Sequence, residues 1–141
     1  MNNKKLGTEF EKQMCRYLAK AGYWVHFIQP DSRGAQPFDI IAVKNNEAYA
    51  IDCKTNSEPI FRMDRLEDNQ VLAFARWEMC GNNVPLIAVR CDFEKPSRIK
   101  LLSYCFYDGR IDLRTYQQED YYISIMEKII NEYHSQEQNN N

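Results

Sequence analysis

The sequence is poor in the residues that build the common transition-metal and disulfide sites. It contains two histidines and five cysteines in 141 residues, and the cysteines at positions 15, 53, 80, 91 and 105 form no CxxC pair. Zinc and iron–sulfur centres need closer ligand spacing, so these sites are disfavoured. An odd number of widely spaced cysteines is typical of free, mostly buried thiols in a reducing compartment, and we therefore expect a cytoplasmic protein.

Several familiar catalytic and targeting signatures are also missing. The sequence has no glycine-rich phosphate loop, no GxSxG turn and no HExxH helix. No apolar run approaches the roughly 20 residues of a membrane helix, and no signal peptide is visible. We therefore expect no membrane partner, and the chemistry must come from other residues.

A basic excess is the third thing that the sequence lacks. The net charge is −2, unlike the basic bulk that often marks a DNA-binding domain. A nucleic-acid surface would have to be local, and a basic group of this kind is more often ordinary solvated surface. The candidates are Lys4, Lys5, Ser32 with Arg33, Arg62, Arg65, and a second group made of Arg90, Lys95, Arg98 and Lys100.

What is present suits one folded domain. A hydrophobic content of 44% and a charged content of 27% are ordinary for a globular protein of this length. We expect one domain in residues 1–134 and a polar C-terminal tail in residues 135–141.

The periodicity of the sequence predicts a mixed α/β fold. Helices are expected at residues 8–21, 64–80 and 118–134, with Thr8 and Asp64 as N-caps. Strands are expected at residues 23–28, in a hairpin around Asn45, and at residues 84–89 and 98–105, with a turn at Asp108-Gly109. The order α-β-β-β-α-β-β-α predicts one central mixed sheet flanked by helices, in which the strand from residue 84 runs parallel to a hairpin strand.

The hairpin places two acids together. If Asn45-Asn46 forms a two-residue turn, Asp39 lies directly opposite Asp52. Side chains alternate along a strand, so Lys54 shares the face of Asp52 while Cys53 points the other way. A four-residue loop gives the same pairing, whereas a loop of three or five residues would separate the acids.

Two opposed carboxylates are unfavourable unless a cation neutralises them. Carboxylates with waters suit Mg²⁺ or Mn²⁺, and a lysine beside them can stabilise a charged phosphoryl transition state. The ordinary alternatives are that Asp39 is a turn residue at the strand entry and that Asp52 and Lys54 form a surface ion pair. On the second helix, Gln70 falls on the inward side and needs a hydrogen-bond partner, which a core amide would also have.

These residues together resemble a known signature. Pro37-Phe38-Asp39 followed by Asp52-Cys53-Lys54 resembles the motif of the PD-(D/E)xK nuclease superfamily. Gly7-Thr8-Glu9-Phe10-Glu11 resembles the opening of the first helix in its Holliday-junction resolvases, and Gln70 resembles a glutamine found on the following helix. The segment 61–66 is most similar to resolvases of Gram-positive bacteria and their phages, and the resemblance covers residues 6 to 92.

The resemblance implies a restriction-endonuclease-like fold and a set of roles. Asp39 and Asp52 would ligate Mg²⁺, and Glu11 would bind the metal directly or through water. Lys54 would help to position or activate the attacking water, and Gln70 would orient a carboxylate or contact the backbone. The reaction would be hydrolysis of DNA, with a four-way junction as substrate and a homodimer as the active form, in DNA recombination and repair.

Two features leave alternatives open. Asp52 stands where these resolvases usually have glutamate, and the charge balance is acidic. The alternatives are a catalytically inactive DNA-binding or interaction module on the same fold, and a repair- or restriction-type nuclease that cuts linear duplex or flap DNA. The alternative for Glu11 is the role of the acid in a capping box at the start of the helix. Glu9 competes with Glu11 for the site.

Overall fold

The computed structural model describes residues 2–29, 36–105 and 109–140. Within these residues the chain forms three α-helices and seven strands. The helices are α1 Asn3–Lys20, α2 Asp68–Met79 and α3 Tyr121–Asn139. The strands are β1 Trp24–Phe27, β2 Ile40–Lys44, β3 Glu47–Asn56, β4 Ile60–Arg62, β5 Leu86–Cys91, β6 Arg98–Ser103 and β7 Arg110–Asp112.

A five-stranded mixed sheet in the order β1-β2-β3-β5-β6 forms the centre of the fold. β3 and β5 are parallel neighbours joined through α2, and the other pairs of this sheet are antiparallel. The expected α/β architecture, with a mixed sheet, flanking helices and a parallel pair, is therefore confirmed. β4 and β7 form a separate two-stranded sheet that the sequence analysis did not predict.

The central sheet has a hydrophobic core on each face, because its side chains alternate between the two. α1 and α3 pack on one face through residues such as Phe10, Leu18 and Met126, against Ile51 and Cys53 of the sheet. The opposite face meets α2 and the small sheet, and its core includes Phe61, Phe74, Ala50, Ile87 and Val89.

The hairpin turn forms as expected. Asn45 and Asn46 have φ values of 53° and 65°, the left-handed conformation that a two-residue turn requires. Lys44 pairs with Glu47 and Ile40 pairs with Ile51, so the register is the one that places Asp39 opposite Asp52.

The first helix begins earlier than predicted. Asn2 caps α1 by accepting a hydrogen bond from the Lys5 backbone N–H, and Thr8 lies inside the helix, where its hydroxyl donates to the Lys4 carbonyl. The predicted cap at Thr8 is wrong because the five polar and small residues before it also adopt helical geometry. Glu11 is consequently a mid-helix residue and has no capping role.

The second helix also begins at a different residue. Met63–Arg65 form a 3-10 turn, and α2 starts after its N-cap Glu67, so the predicted cap at Asp64 is wrong. Gln70 completes a capping box by accepting a hydrogen bond of 3.2 Å from the Glu67 backbone N–H.

The last helix extends five residues further than predicted. α3 continues to Asn139, so the segment described as a tail from residue 135 is helical as far as residue 139. Arg16 of α1 forms an ion pair of 2.9 Å with Glu137, and Tyr17 donates a hydrogen bond of 3.0 Å to the same carboxylate. Gln138 accepts a hydrogen bond from the Ser97 backbone N–H. These contacts hold the extra helical turn.

The cysteines are free, as expected, but only two of the five are buried. Cys53 and Cys91 are buried, Cys15 is half-buried, and Cys80 and Cys105 are exposed. Asp108 of the predicted Asp108-Gly109 turn lies outside the described residues. No helix in the described part of the chain has the length and apolar character that crossing a membrane requires.

Candidate active site

Two carboxyl groups meet where β2 begins and β3 nears its end. The ladder between β2 and β3 ends with the pair Ile40 and Ile51, and just beyond it the Asp39 backbone N–H also donates to the Ile51 carbonyl over 3.1 Å, which holds Asp39 beside Asp52. Besides burial, the charge of Asp39 raises the pKa of the Asp52 carboxyl, as expected for two neighbouring acids. Asp52 has no exposed surface and Asp39 is 4% exposed. The structure therefore brings together the two acids that the turn count paired.

Lys54 and Gln70 complete a compact polar group around Asp52. Lys54 Nζ lies 3.0 Å from Asp52 Oδ2, and Gln70 Nε2 donates a hydrogen bond of 2.7 Å to Asp52 Oδ1. Gln70 Oε1 accepts from Lys54 Nζ at 3.4 Å. The predicted inward position of Gln70 is confirmed. The hydrogen-bond partner of its side-chain nitrogen is the carboxylate of Asp52.

Two contacts that sequence reasoning missed hold Asp39. The Cys53 backbone N–H donates to Asp39 Oδ2 over 2.7 Å, and the Gln36 side-chain amide donates to Asp39 Oδ1. Asn69 of α2 in turn donates to the Gln36 carbonyl over 2.8 Å. The position of Gln36 just before Pro37-Phe38-Asp39 was the signal available, but a loop glutamine has no periodicity that fixes its direction.

The electrostatics of Asp52 show the cost of this arrangement. Burial raises the pKa of the Asp52 carboxyl well above its usual range, and the neighbouring charge of Asp39 raises it further, while Lys54 opposes the shift. Since the acids share one buried location, the protein alone disfavours two negative charges there. A bound cation would remove that repulsion.

Glu11 faces the same region from α1. Burial raises the pKa of Glu11 from its ordinary value of 4.5 to about 7, with a further upward contribution from the charge of Asp39 and a downward one from Lys54. This coupling to Asp39 and Lys54 places Glu11 at the edge of the acid pair.

Glu9, the alternative to Glu11, forms an ion pair with Arg90. Its carboxylate pairs with Arg90 Nη1 at 2.7 Å, and the same Nη1 donates to Gln13 Oε1 over 2.8 Å. The remaining nitrogens of Arg90 bind Asp92 at 2.7 and 3.1 Å. On α1, Glu9 and Gln13 are one turn apart and Glu11 lies on the opposite side of the helix. The Arg90 cluster therefore sets the rotation of α1 that directs Glu11 to the site.

The acid pair fits a divalent metal ion in part. Asp52 Oδ2 is fully buried, and its close polar neighbour within the described chain is Lys54 Nζ at 3.0 Å. A buried carboxylate oxygen in that state, next to a second carboxylate, is a suitable ligand for a hard cation. No group of three acidic, histidine or cysteine side chains among the described residues forms a full ligand set. The protein thus offers two carboxylates, and other ligands must come from solvent or substrate.

The basic candidates differ in their surroundings. Lys4 and Lys5 are exposed on the first turns of α1. Arg62 is exposed and pairs with Asp64 at 2.7 Å. Arg65 lies near Asp52, and its Nη1 donates to the Thr55 carbonyl and to Asn56 Oδ1 over 2.7 Å each.

Of the remaining basic candidates, Lys95 and Arg98 are exposed, and Arg98 pairs with Glu94 at 2.6 Å. Ser32 and Arg33 lie outside the described residues. Arg90 and Lys100, which the sequence analysis included as surface candidates, are buried, so that assignment is wrong. Polar partners satisfy both buried side chains: Arg90 pairs with Glu9 and Asp92, and Lys100 Nζ donates to the Tyr116 carbonyl over 2.6 Å.

The fold is a mixed sheet between helices, and the site combines two acids, a lysine and a glutamine from a helix. This is the arrangement of the PD-(D/E)xK nuclease superfamily. Within that superfamily the chain belongs to the archaeal Holliday junction resolvase (Hjc) family, whose model matches residues 2–128. The expected superfamily is therefore correct, whereas the expected branch from Gram-positive bacteria and phages is not supported.

Two relatives illustrate the similarity. The chain is 28% identical over 88 residues to the crossover junction endodeoxyribonuclease Hjc of Methanocaldococcus jannaschii, a match that covers 62% of this chain and 61% of that protein. The fold resembles the crystal structure of Hjc from Archaeoglobus fulgidus, a Holliday junction resolvase, with a TM-score of 0.56 and 20% identity. That match covers 75% of this chain and 83% of the other.

Proposed function

We propose that this chain is a metal-dependent endonuclease that hydrolyses phosphodiester bonds in four-way DNA junctions. The observation that supports this most directly is the acid pair, Asp39 against Asp52, with Lys54 and Gln70 bound to Asp52 on the same face. Family membership supports the junction as substrate. The match spans 61% of the length of the curated relative, and the activity in the name of that relative supports this proposal.

Asp39 and Asp52 would hold the metal, with Mg²⁺ as the preferred ion and Mn²⁺ as an alternative. When bound, such an ion supplies positive charge to the phosphoryl oxygens and lowers the pKa of nearby water. Mg²⁺ is usually held by one or two carboxylates together with waters and substrate phosphate. The two close carboxylates of Asp39 and Asp52 agree with that number. Glu11 would contact the ion directly or through water.

The side chains of this chain have distinct tasks in the reaction. Lys54 keeps N–H donors beyond its contacts with Asp52 and Gln70, and its side chain is 17% exposed, so its ammonium can bind a water or a phosphate oxygen. Gln70 fixes the orientation of the Asp52 carboxylate. Glu11, with a pKa near 7, can accept a proton from the attacking water at neutral pH.

The DNA contacts and the assembly belong to the same proposal. Lys4, Lys5, Arg62 and Arg65 are exposed and would meet phosphates, as would Ser32 and Arg33. A four-way junction has two symmetric strands to cut, so the active form would be a homodimer.

The test compares cleavage of a four-way junction, a flap and a linear duplex of matched sequence, each with Mg²⁺, Mn²⁺ or EDTA. We expect junction cleavage that requires the metal and is lost in Asp39→Ala and Asp52→Ala. Asp112→Ala, which removes an exposed acid paired with Arg114, is the control and keeps full activity. Equal cutting of duplex or flap would favour the repair- or restriction-type alternative, and binding without any cleavage would favour an inactive module.

A further inference from the structure

An aromatic pair lies exposed on the edge strand of the sheet. Trp24 of β1 is 62% exposed, and its ring is nearly parallel to that of His26, with centroids 6.0 Å apart and an angle of 8° between the planes. A large aromatic side chain left in water gains nothing for the fold, and tryptophan is enriched where proteins bind partners.

This pair lies on the same face of the sheet as the acids. Val25 and Phe27 pack into the core beneath α1 and α3, so Trp24 and His26 point to the opposite face. His26 pairs with Ile41, which belongs to the core on the α2 face, the face that carries Asp52 and Lys54.

The register gives the separation of the aromatic pair from the acids. The Ile28 backbone N–H donates to the Asp39 carbonyl over 2.8 Å, so Ile28 stands beside Asp39. Trp24 lies four residues before Ile28 on the same face, which is about 14 Å along the strand. α2 packs over β3 and β5 through Phe74, while β1 lies at the sheet edge. A DNA strand at the acids can therefore run along this open edge without crossing the sheet.

We propose that Trp24, supported by His26, stacks against a base of the DNA substrate a few nucleotides from the cleaved phosphate. This inference rests on the proposed nuclease function and specifies a base contact for it. Base stacking on an aromatic ring is tolerant of sequence, because every base has a flat face. It favours a base that is unpaired or easily unstacked, which a branch point of a junction offers more readily than a continuous duplex does.

Tryptophan fluorescence tests the contact directly, because the chain has two tryptophans. In the Trp77→Phe variant, Trp24 is the remaining tryptophan, and excitation at the red edge of the absorption band separates its emission from that of the nine tyrosines. A four-way junction is titrated with Ca²⁺ in place of Mg²⁺, and fluorescence anisotropy of the labelled DNA records binding in parallel. We expect quenching of Trp24 that saturates together with binding, and lower access of acrylamide to Trp24 in the complex.

Affinity measurements give the second readout. Trp24→Ala should weaken junction binding about 5- to 150-fold, the range that corresponds to one lost base stack, while Trp24→Phe keeps most of the affinity. Tyr121→Ala, which removes an exposed aromatic side chain at the start of α3, is the matched control and should bind as the unchanged protein does.

The outcomes separate this inference from the nuclease proposal. Cleavage of the junction without any change in Trp24 fluorescence overturns the stacking contact and leaves the nuclease intact. Quenching on DNA that is never cut supports the contact and overturns the nuclease. A shift of Trp24 emission to shorter wavelength that follows protein concentration, with no response to DNA, overturns the inference and identifies a second copy of the chain as the occupant. Absence of DNA binding overturns both.

Discussion

Gln70 and Asp52 are joined by a hydrogen bond of 2.7 Å between a helix amide and a fully buried carboxylate. The other end of the same amide accepts the backbone N–H of Glu67 at the start of α2. The orientation of the amide is thus defined at both ends, and through it the start of α2 fixes one oxygen of Asp52. In the proposed reaction Gln70 would therefore act by holding the Asp52 carboxylate and not by touching the substrate.

Replacement of Gln70 by methionine tests this support. Gln70→Met keeps the length of the side chain but removes the donor to Asp52, and we expect junction cleavage to fall about 10- to 100-fold, as for other side chains that orient metal ligands. Loss of the bond should also lower the free energy of unfolding by about 1.5–3 kcal/mol. Single-turnover rates and urea denaturation measure the two effects, with Gln117→Met in the segment before α3 as control. An unchanged rate would show that Asp52 needs no such support.

Removal of charge from the acid pair should separate activity from stability. Asp52→Asn removes the repulsion from Asp39, but it also loses the ion pair with Lys54 and turns an amide nitrogen toward Lys54 or the Gln70 amide, so we expect the two effects to offset and Tm in EDTA at pH 8 to change by the equivalent of about 1 kcal/mol or less. Cleavage should fall by a factor on the order of 10³ or more.

Asp39→Asn provides the contrast, because Asp39 accepts hydrogen bonds from the Cys53 backbone N–H and from Gln36. In Asp39→Asn an amide nitrogen replaces one of the two accepting oxygens and then faces another hydrogen-bond donor. This variant should therefore lose both activity and stability. Differential scanning fluorimetry of the two variants side by side tests the asymmetry, and an equal change in Tm would contradict it.

The stability of the metal-free protein should depend on pH in a defined direction. The pKa of Glu11 rises on folding from 4.5 to about 7, and that of Asp52 rises from 3.8 for the same main reason, burial. Between the unfolded and folded values the folded state holds more protons, so stability falls as pH increases. We expect Tm in EDTA to fall from pH 5 to pH 8.

Added Mg²⁺ should therefore raise Tm more at pH 8 than at pH 6, because it binds the deprotonated acids. The Asp52→Asn variant should show a flatter pH profile and a smaller response to Mg²⁺. A metal-free Tm that rises over this range would mean that the acids are not raised in pKa by the fold.

The Arg90 cluster should be worth more to stability than a surface ion pair. Arg90→Met removes a buried guanidinium and leaves the carboxylates of Glu9 and Asp92, whose side chains are 45% and 22% exposed, without their partner, and we expect a loss of about 1.5–3 kcal/mol. Arg98→Met breaks an exposed pair with Glu94 and should cost about 1 kcal/mol or less. Urea denaturation of both variants measures the difference, and equal losses would contradict the assigned role of Arg90.

The hairpin and its acids were predictable from the sequence because local rules determine them. An Asn-Asn turn fixes the register, and the period of two in a strand then fixes which side chains share a face. The direction of Gln70 followed in the same way from helical spacing. Each of these inferences needed only residues that are close together in the chain.

The features that were missed depend on distant residues. Whether Glu9 or Glu11 faces the acids depends on the rotation of α1, which Arg90 sets from 81 residues further along the chain. The strands β4 and β7 have three residues each and are stable only because they pair with one another. Thr8 and Glu11 have the spacing of a capping box, but that spacing does not show whether the helix begins earlier.

The ion pair between Arg16 of α1 and Glu137 of α3 affects folding during synthesis. Arg16 and Glu137 are separated by 121 residues, so the helix that presents Glu11 leaves the ribosome long before the residues that hold its far side. Closing so long a segment carries an entropic cost that is repaid only when α3 docks. We infer that the nascent chain passes through a stage with α1 formed but undocked, and that the nuclease site is not assembled until α3 has emerged.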